Sequence, residues 1–251
     1  MYIIGMALLP SVLLAVWIYF QDKQRKEPIF GLLKAFSLGV VSAGLTIVIH
    51  ILMPEQIAAF IDGTAFWRAF VSAGVLEEFS KLLMFFLGIW SLKAFDERFD
   101  GIVYMAYIGL GFAFFENIFY LLDSTDAFSL FLGRALFSVP AHFFFAVLMG
   151  YFLGKAKFET TVAKRDFLIV FGWLLAVLAH GCYDYLLMRQ EEVADAGAVV
   201  FLLQISFYVF DYFLWRIALR RIRRLQELDE EMGISPEQPD DIDWRRIPPK
   251  V

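Results

Sequence analysis

The chain has 251 residues, 60% of them hydrophobic, with 29 Phe and 6 Trp and a mean hydropathy of +0.64. A soluble domain carries roughly 45–50% apolar residues, so this composition excludes an ordinary water-soluble globule and makes lipid part of the solvent. The net charge of −5 gives no basis for nucleic-acid binding, because the charges are segregated away from the apolar blocks, and the single cysteine, Cys182, excludes an internal disulfide framework and a CxxC metal site.

A bilayer core of about 30 Å takes about 20 apolar residues of helix. The first qualifying stretch is Tyr2–Phe20. It lacks a basic n-region and an A-x-A-like site, and Lys23, Arg25 and Lys26 follow it, so it is expected to remain as a span. Ile29–Met53 comes next, with His50 expected at the interface. The third stretch, Ala69–Trp90, contains LEEFSK and thus Glu77, Glu78 and Lys81. The fourth, Ile102–Leu122, contains Glu116 and Asn117. A short interfacial helix is expected over Asp126–Gly133, before the fifth stretch, Arg134–Gly154, which contains His142. The sixth, Phe167–Met188, carries His180 and Asp184, with Cys182 on another face as a packing residue. The seventh is Ala196–Trp215; Asp211 and Arg216 near its inner end are expected to be positional. The sequence therefore predicts an all-α, polytopic membrane bundle of about seven transmembrane helices over residues 1–220. Residues 221–251 are expected to form a polar tail that is mostly disordered from about Gln226, with Pro236, Pro239, Pro248 and Pro249. The arginines before it are expected to carry the last helix into the lipid surface as a topology anchor.

Lys and Arg in the short loops set orientation. Lys23, Arg25, Lys26, Lys93, Arg98, Lys155, Lys157, Lys164, Arg165, Arg216, Arg220, Arg221, Arg223 and Arg224 fall on one side, against Arg68, Arg134 and Arg189 on the other. This bias predicts the N-terminus outside and the C-terminus in the cytoplasm.

The ionisable residues within the spans carry the functional signal. Left charged and unpaired, the four carboxylates Glu77, Glu78, Glu116 and Asp184 together with Lys81 would cost on the order of ten kcal/mol, so they must face the bundle interior and one another. Glu77 and Glu78 precede Lys81 by four and three residues, and His180 precedes Asp184 by four, so each pair shares a helix face. Counting helix rise from the outer end of each span puts Glu77, His142 and His180 roughly 12 Å deep and Glu116 roughly 9 Å deep. One level in the outer half of the bilayer thus holds them all. Such a set suits hydrolysis by activated water. One Glu accepts a proton from water, a second Glu or a His holds that water, and a His helped by Asn or Asp stabilises the oxyanion. HExxH and GxSxG are absent, as is the GxGD partner that Tyr183–Asp184 would need in an aspartyl intramembrane protease. A Ser138–His142 dyad has no glycine-rich loop beside it. Zinc held by His142, His180 and Glu116 stays open.

At these residues the chain resembles the PrsW family of bacterial intramembrane proteases, which is grouped with the CAAX prenyl endopeptidases and the scaffold subunit of γ-secretase. The family pattern EExxK is present as Glu77, Glu78 and Lys81, and FxxxE as Phe112 and Glu116, followed by Asn117. A later helix carries His142, and HGxYD is present as His180, Gly181, Tyr183 and Asp184. The strings FDGIVY and MGYFLGKAKF are also similar to the family, and the resemblance covers nearly the whole chain to about residue 220. It implies an endopeptidase of the bacterial cytoplasmic membrane that makes the first, outer-side cut in a single-span anti-sigma factor. A second protease then completes the destruction and frees an extracytoplasmic-function sigma factor. By comparison with the CAAX enzymes it implies Glu77 as the water-activating base and His180 with Asp184 as the oxyanion side. Glu116 stands where those enzymes have a histidine, and Glu78 competes with Glu77 as base. The expected catalytic set is Glu77, Glu78, Glu116, His142 and His180, supported by Lys81, Asn117 and Asp184, with no metal or other cofactor and no nucleic-acid partner. The alternatives are a zinc-dependent membrane protease, a non-catalytic scaffold or substrate-presenting subunit, and a proton-coupled transporter.

Overall fold

Backbone in lipid must satisfy its hydrogen bonds internally, which favours helices. The computed structural model describes residues 2–23 and 25–231, and every element among them is helical. In chain order these are α1 (Tyr2–Gln21), α2 (Ile29–Leu52), α3 (Glu55–Asp62) and α4 (Ala65–Trp67), which runs into a π-helical segment, π1 (Arg68–Glu77), and then α5 (Glu78–Gly88). After a turn come α6 (Arg98–Asp123), α7 (Ala127–Gly133), a second π segment, π2 (Arg134–Ser138), and α8 (Val139–Lys157). The chain closes with α9 (Val162–Glu192) and α10 (Gly197–Glu231).

Five helical stretches among the described residues are long and apolar enough to cross a membrane: α1, α2, α6, the continuous run Ala127–Lys157, and α10. The chain is therefore a multi-pass membrane protein. The expected third stretch is helical too, but its first half is π1 rather than an α-helix. The expected sixth lies within α9. The short helix expected over Asp126–Gly133 is α7, begun by Asp126, whose Oδ1 accepts from Ser129 N at 3.2 Å. It continues into α8 through π2. Pro140 lies two residues beyond π2; having no N–H and a ring that crowds the preceding turn, it favours a wider turn just there.

The core is built on α8, whose residues from Val139 to Gly154 are buried on every face. Against α8 pack α6 and α9, and α2 covers the far side of α6. The outward faces of α1, α2, α9 and α10 expose large apolar side chains such as Leu13, Phe30, Leu178 and Phe201, as lipid contact requires. Gly74 on π1 approaches α9 so closely that a Cβ there would lie 3.0 Å from Val177 O, and a Cβ on Gly181 would meet the Phe70 ring. These two glycines bring π1 and α9 together beside Glu77 and His180.

One expectation is corrected at the C-terminal end. α10 continues to Glu231, so residues 226–231, where disorder was expected to begin, are a docked helix; the helix expected through the arginines is there as well. The reason is tertiary. Leu225 and Asp229 are buried, Asp229 Oδ2 accepts from Phe99 N at 2.9 Å at the start of α6, and the Gln226 side chain donates to Gln21 O at the end of α1. Pro236, Pro239, Pro248 and Pro249 lie outside the described residues. Around this end, burial raises the carboxyls of Asp22 to about 6, Glu27 to about 7 and Glu97 to about 8.

Candidate active site

Elements π1, α5, α6, α8 and α9 deliver their polar residues to one place. Glu77 ends π1 and Glu78 begins α5, so both acids sit at the change of helical pitch. A π segment of this kind is uncommon and is often found at functional sites. Lys81, one turn on, donates to Glu78 Oε1 at 2.7 Å and lies 3.8 Å from Glu77 Oε2. Its ammonium also stands 4.0 Å over the Phe112 ring. Both predicted pairs thus form, and Lys81 balances two carboxylates with no solvent exposure of its own.

Two histidines complete the cluster. Lys81 Nζ lies 3.2 Å from His142 Nδ1. An ammonium can only donate, so Nδ1 accepts and Nε2 carries the ring proton, which it donates to Glu116 Oε2 at 2.9 Å. His180 Nδ1 lies 2.8 Å from Glu78 Oε1, while its Nε2 lies 3.4 Å from Asp184 Oδ2 and 3.9 Å from Glu77 Oε2. The His180 ring stacks on Phe145 with centroids 4.6 Å apart, and the two imidazoles meet edge-on at 5.1 Å. Two acid oxygens of the cluster, Glu77 Oε2 and Glu78 Oε2, are buried and have no hydrogen-bond partner among the described residues.

The cluster borders a cavity of about 770 Å³. Glu116, His142, His180 and Asp184 line it, with Phe137, Phe145, Phe207 and Leu187 forming apolar wall. Glu77 is behind this lining, yet its side chain keeps 14% exposure. Glu78 is different. Like Glu77 it does not line the cavity, but it is fully buried, with Lys81 and His180 on one oxygen.

Arg134, which the sequence offers only as a topology charge, also lines the cavity. It donates to Glu116 Oε2 at 2.6 Å through Nη2 and to Asn117 Oδ1 through Nε, and its guanidinium carbon lies 4.0 Å over the Tyr120 ring. The available signal was an arginine at the start of an otherwise apolar segment, facing the depth of Glu116. Tyr183, within HGxYD, is buried against Phe145 and Phe207 and lines the same cavity. His50 lies outside the cluster and pairs with Ser72 Oγ at 2.8 Å.

The profile of the PrsW family, described as intramembrane metalloproteases, matches residues 27–211. The chain belongs to the PrsW family. A Protease PrsW of Oceanobacillus iheyensis is 35% identical over 90% of this chain and 96% of its own length. One of Geobacillus kaustophilus is 33% identical over 93% and 96%, and one of Bacillus subtilis 32% identical over 90% and 97%. No solved structure matches. The PrsW family member described here is thus a protease of the membrane, which sets aside the readings as a non-catalytic scaffold or a transporter.

The family description names a metal, and the residues fit one. Glu77, His142 and His180 each offer a donor atom, all within 4.8 Å of one another. This trio differs from the expected zinc set in having Glu77 in place of Glu116.

Proposed function

We propose that this PrsW family protease cleaves a single-span membrane protein, an anti-sigma factor, with water activated by Glu77. The single observation that carries the reading is Glu77 Oε2, without a hydrogen-bond partner beside His180 Nε2, on a side chain that keeps 14% exposure while Glu78 keeps none. A carboxylate oxygen with no competing donor is free to accept a proton from water. Lys81 lies far enough from it, at 3.8 Å, to balance charge without occupying that oxygen.

Water adds through its oxygen to the scissile carbonyl carbon while Glu77 takes its proton, and the carbonyl oxygen becomes an oxyanion. His180, anchored at Nδ1 by Glu78 at 2.8 Å, turns its Nε2–H from the longer contact with Asp184, at 3.4 Å, to stabilise this charge. Glu116, its Oε2 held by the Nε2–H of His142, forms the opposite wall and accepts a hydrogen bond from the water. The proton on Glu77 then passes to the leaving amine as the C–N bond breaks, so the acid is restored. Glu78 and Lys81 hold His180 and Glu77 in place, and Arg134, itself held by Asn117, holds Glu116.

We read the bundle as seven spans with the N-terminus outside. Support comes from the unbroken apolar run Phe167–Ala179 in α9 and from the loop-charge bias. That orientation sets the Glu–His cluster in the outer half of the bacterial cytoplasmic membrane, where an outer-side first cut would fall. The relative in Bacillus subtilis bears the same protease name.

A second reading is favoured by the grouping of Glu77, His142 and His180. These three would hold a divalent metal, which when bound polarises the carbonyl and acidifies water.

The test is cleavage of a tagged single-span anti-sigma factor by the purified full-length protein in detergent, compared with Glu77→Gln. The expected result is cleavage by the unsubstituted protein and none by the variant. Normal cleavage by Glu77→Gln would remove Glu77 as the base.

A further inference from the structure

The protease chemistry leaves one strongly charged concavity unused. Near the end of α10, Arg220, Arg221, Arg223 and Arg224 fall within five residues. With Tyr151, Ile217 and Glu227 they line a cavity of about 570 Å³. Tyr151 is nine residues beyond His142 on α8, about 13 Å along the helix axis. The cavity therefore lies toward the other end of the bundle from the Glu–His cluster.

Four guanidinium groups so close repel one another unless an anion joins them. The protein provides little of one. Arg224 has Glu227 at 3.4 Å and Glu231 at 3.8 Å, both well exposed, where ion pairs contribute little. Arg220, Arg221 and Arg223 have no carboxylate partner among the described residues. Arg221 is nevertheless held in position: its guanidinium carbon lies 4.6 Å over the Tyr151 ring and 5.8 Å from the Phe152 ring. Stacking of this kind orients the planar fork and leaves its N–H edge free, a geometry suited to phosphate oxygens.

We propose that this cavity binds the phosphate headgroup of an anionic lipid. The lipid, rather than a soluble phosphate, follows from the apolar flank. Ile217 lines the cavity, and Phe213, one turn earlier on α10, is exposed and continues toward the apolar part of the helix. A ligand with a phosphate at one end and an acyl chain at the other matches both surfaces. A topology anchor needs only charge; a cavity with a stacked, oriented arginine specifies a ligand.

The experiment uses the full-length protein in a neutral detergent with dioleoyl-phosphatidylglycerol as probe, and native mass spectrometry to measure retention. Arg220→Gln with Arg221→Gln should weaken retention roughly fivefold per arginine removed. Lys164→Gln with Arg165→Gln, an equal charge change elsewhere, should leave it within about twofold, the size of a screened surface effect. Equal losses in both double variants would overturn the site and reduce the arginines to net charge. Arg221→Lys, which keeps charge and fold but not the stacked fork, should also lose retention; unchanged retention would overturn the role of Arg221. Competition by millimolar pyrophosphate that displaces the lipid, with the same thermal protection in lipid-free protein, would overturn the lipid as the ligand.

Discussion

Arg134 Nη2 and His142 Nε2 meet on one atom, Glu116 Oε2, at 2.6 and 2.9 Å. The arginine comes from π2 and the histidine from α8, so a single helical run supplies two donors to a carboxylate on α6. Arg134 thus fixes the acid that orients His142. Arg134→Ala should lower kcat by roughly ten- to a hundredfold, the range for loss of an orienting partner, with KM little changed. Arg134→Lys, which keeps charge without the bidentate fork, should recover part of that loss. Steady-state cleavage of a fluorescent single-span substrate separates the two constants.

Glu77 and Glu78 are neighbours in sequence with different surroundings, and their amide variants should fail differently. Glu77→Gln keeps the fold and removes the proton acceptor, lowering kcat by roughly 10²–10⁴-fold. Glu78→Gln leaves Lys81 and His180 without their shared carboxylate in a fully buried site. Removing one partner of such a pair costs about 3–5 kcal/mol, so this variant should show a lower Tm and reduced yield as well as lost activity. Thermal unfolding in detergent, alongside the cleavage assay, distinguishes them.

Metal dependence divides the two chemical readings. With Glu77 acting alone on water, 1,10-phenanthroline should leave cleavage within twofold and the purified protein should carry less than about 0.1 equivalent of zinc, against about one for a filled catalytic site. Stoichiometric metal lost together in Glu77→Gln, His142→Ala and His180→Ala would favour the metal-bound reading of the same three residues.

The opposite end of the bundle should titrate. Asp22, Glu27 and Glu97 are raised by burial to about 6, 7 and 8. The folded state therefore holds protons that the unfolded chain releases. Stability is greatest below the ordinary carboxylate range, near pH 4.5, and falls as pH rises toward 8. Tm measured between pH 5 and 8 should drop across this window, and Glu97→Gln should flatten the drop. A flat profile in the unsubstituted protein would contradict the burial of these acids.

The contact of α6 with α8 depends on missing side chains. A Cβ at Gly150 would lie 2.9 Å from Ile102 Cα and would also meet Gly101 O, a backbone atom that cannot move aside. Gly150→Val should destabilise by about 1–3 kcal/mol through overpacking, read as a lower Tm, whereas the same change at Gly44, where nothing lies within 4 Å, should be nearly neutral.

The sequence by itself determined that the chain lies in a membrane, that it is helical, and that Glu77, Glu78, Lys81, Glu116, His142, His180 and Asp184 belong to one cluster. Hydropathy needs only composition, pairing along one helix needs only a three- or four-residue spacing, and buried charge is too costly to be scattered in lipid. Only the tertiary structure separated Glu77, whose side chain keeps 14% exposure, from the fully buried Glu78. Their difference arises where π1 gives way to α5, beside the close approach of π1 to α9 at Gly74. It also brought in Arg134, whose partner Glu116 is 18 residues away on another helix. The extension of α10 to Glu231 was hidden for the same reason. Its polar residues read as a solvated tail until Asp229 is seen capping α6 across 130 residues of sequence. Periodicity and spacing report contacts along one helix; contacts between helices depend on how the helices are placed.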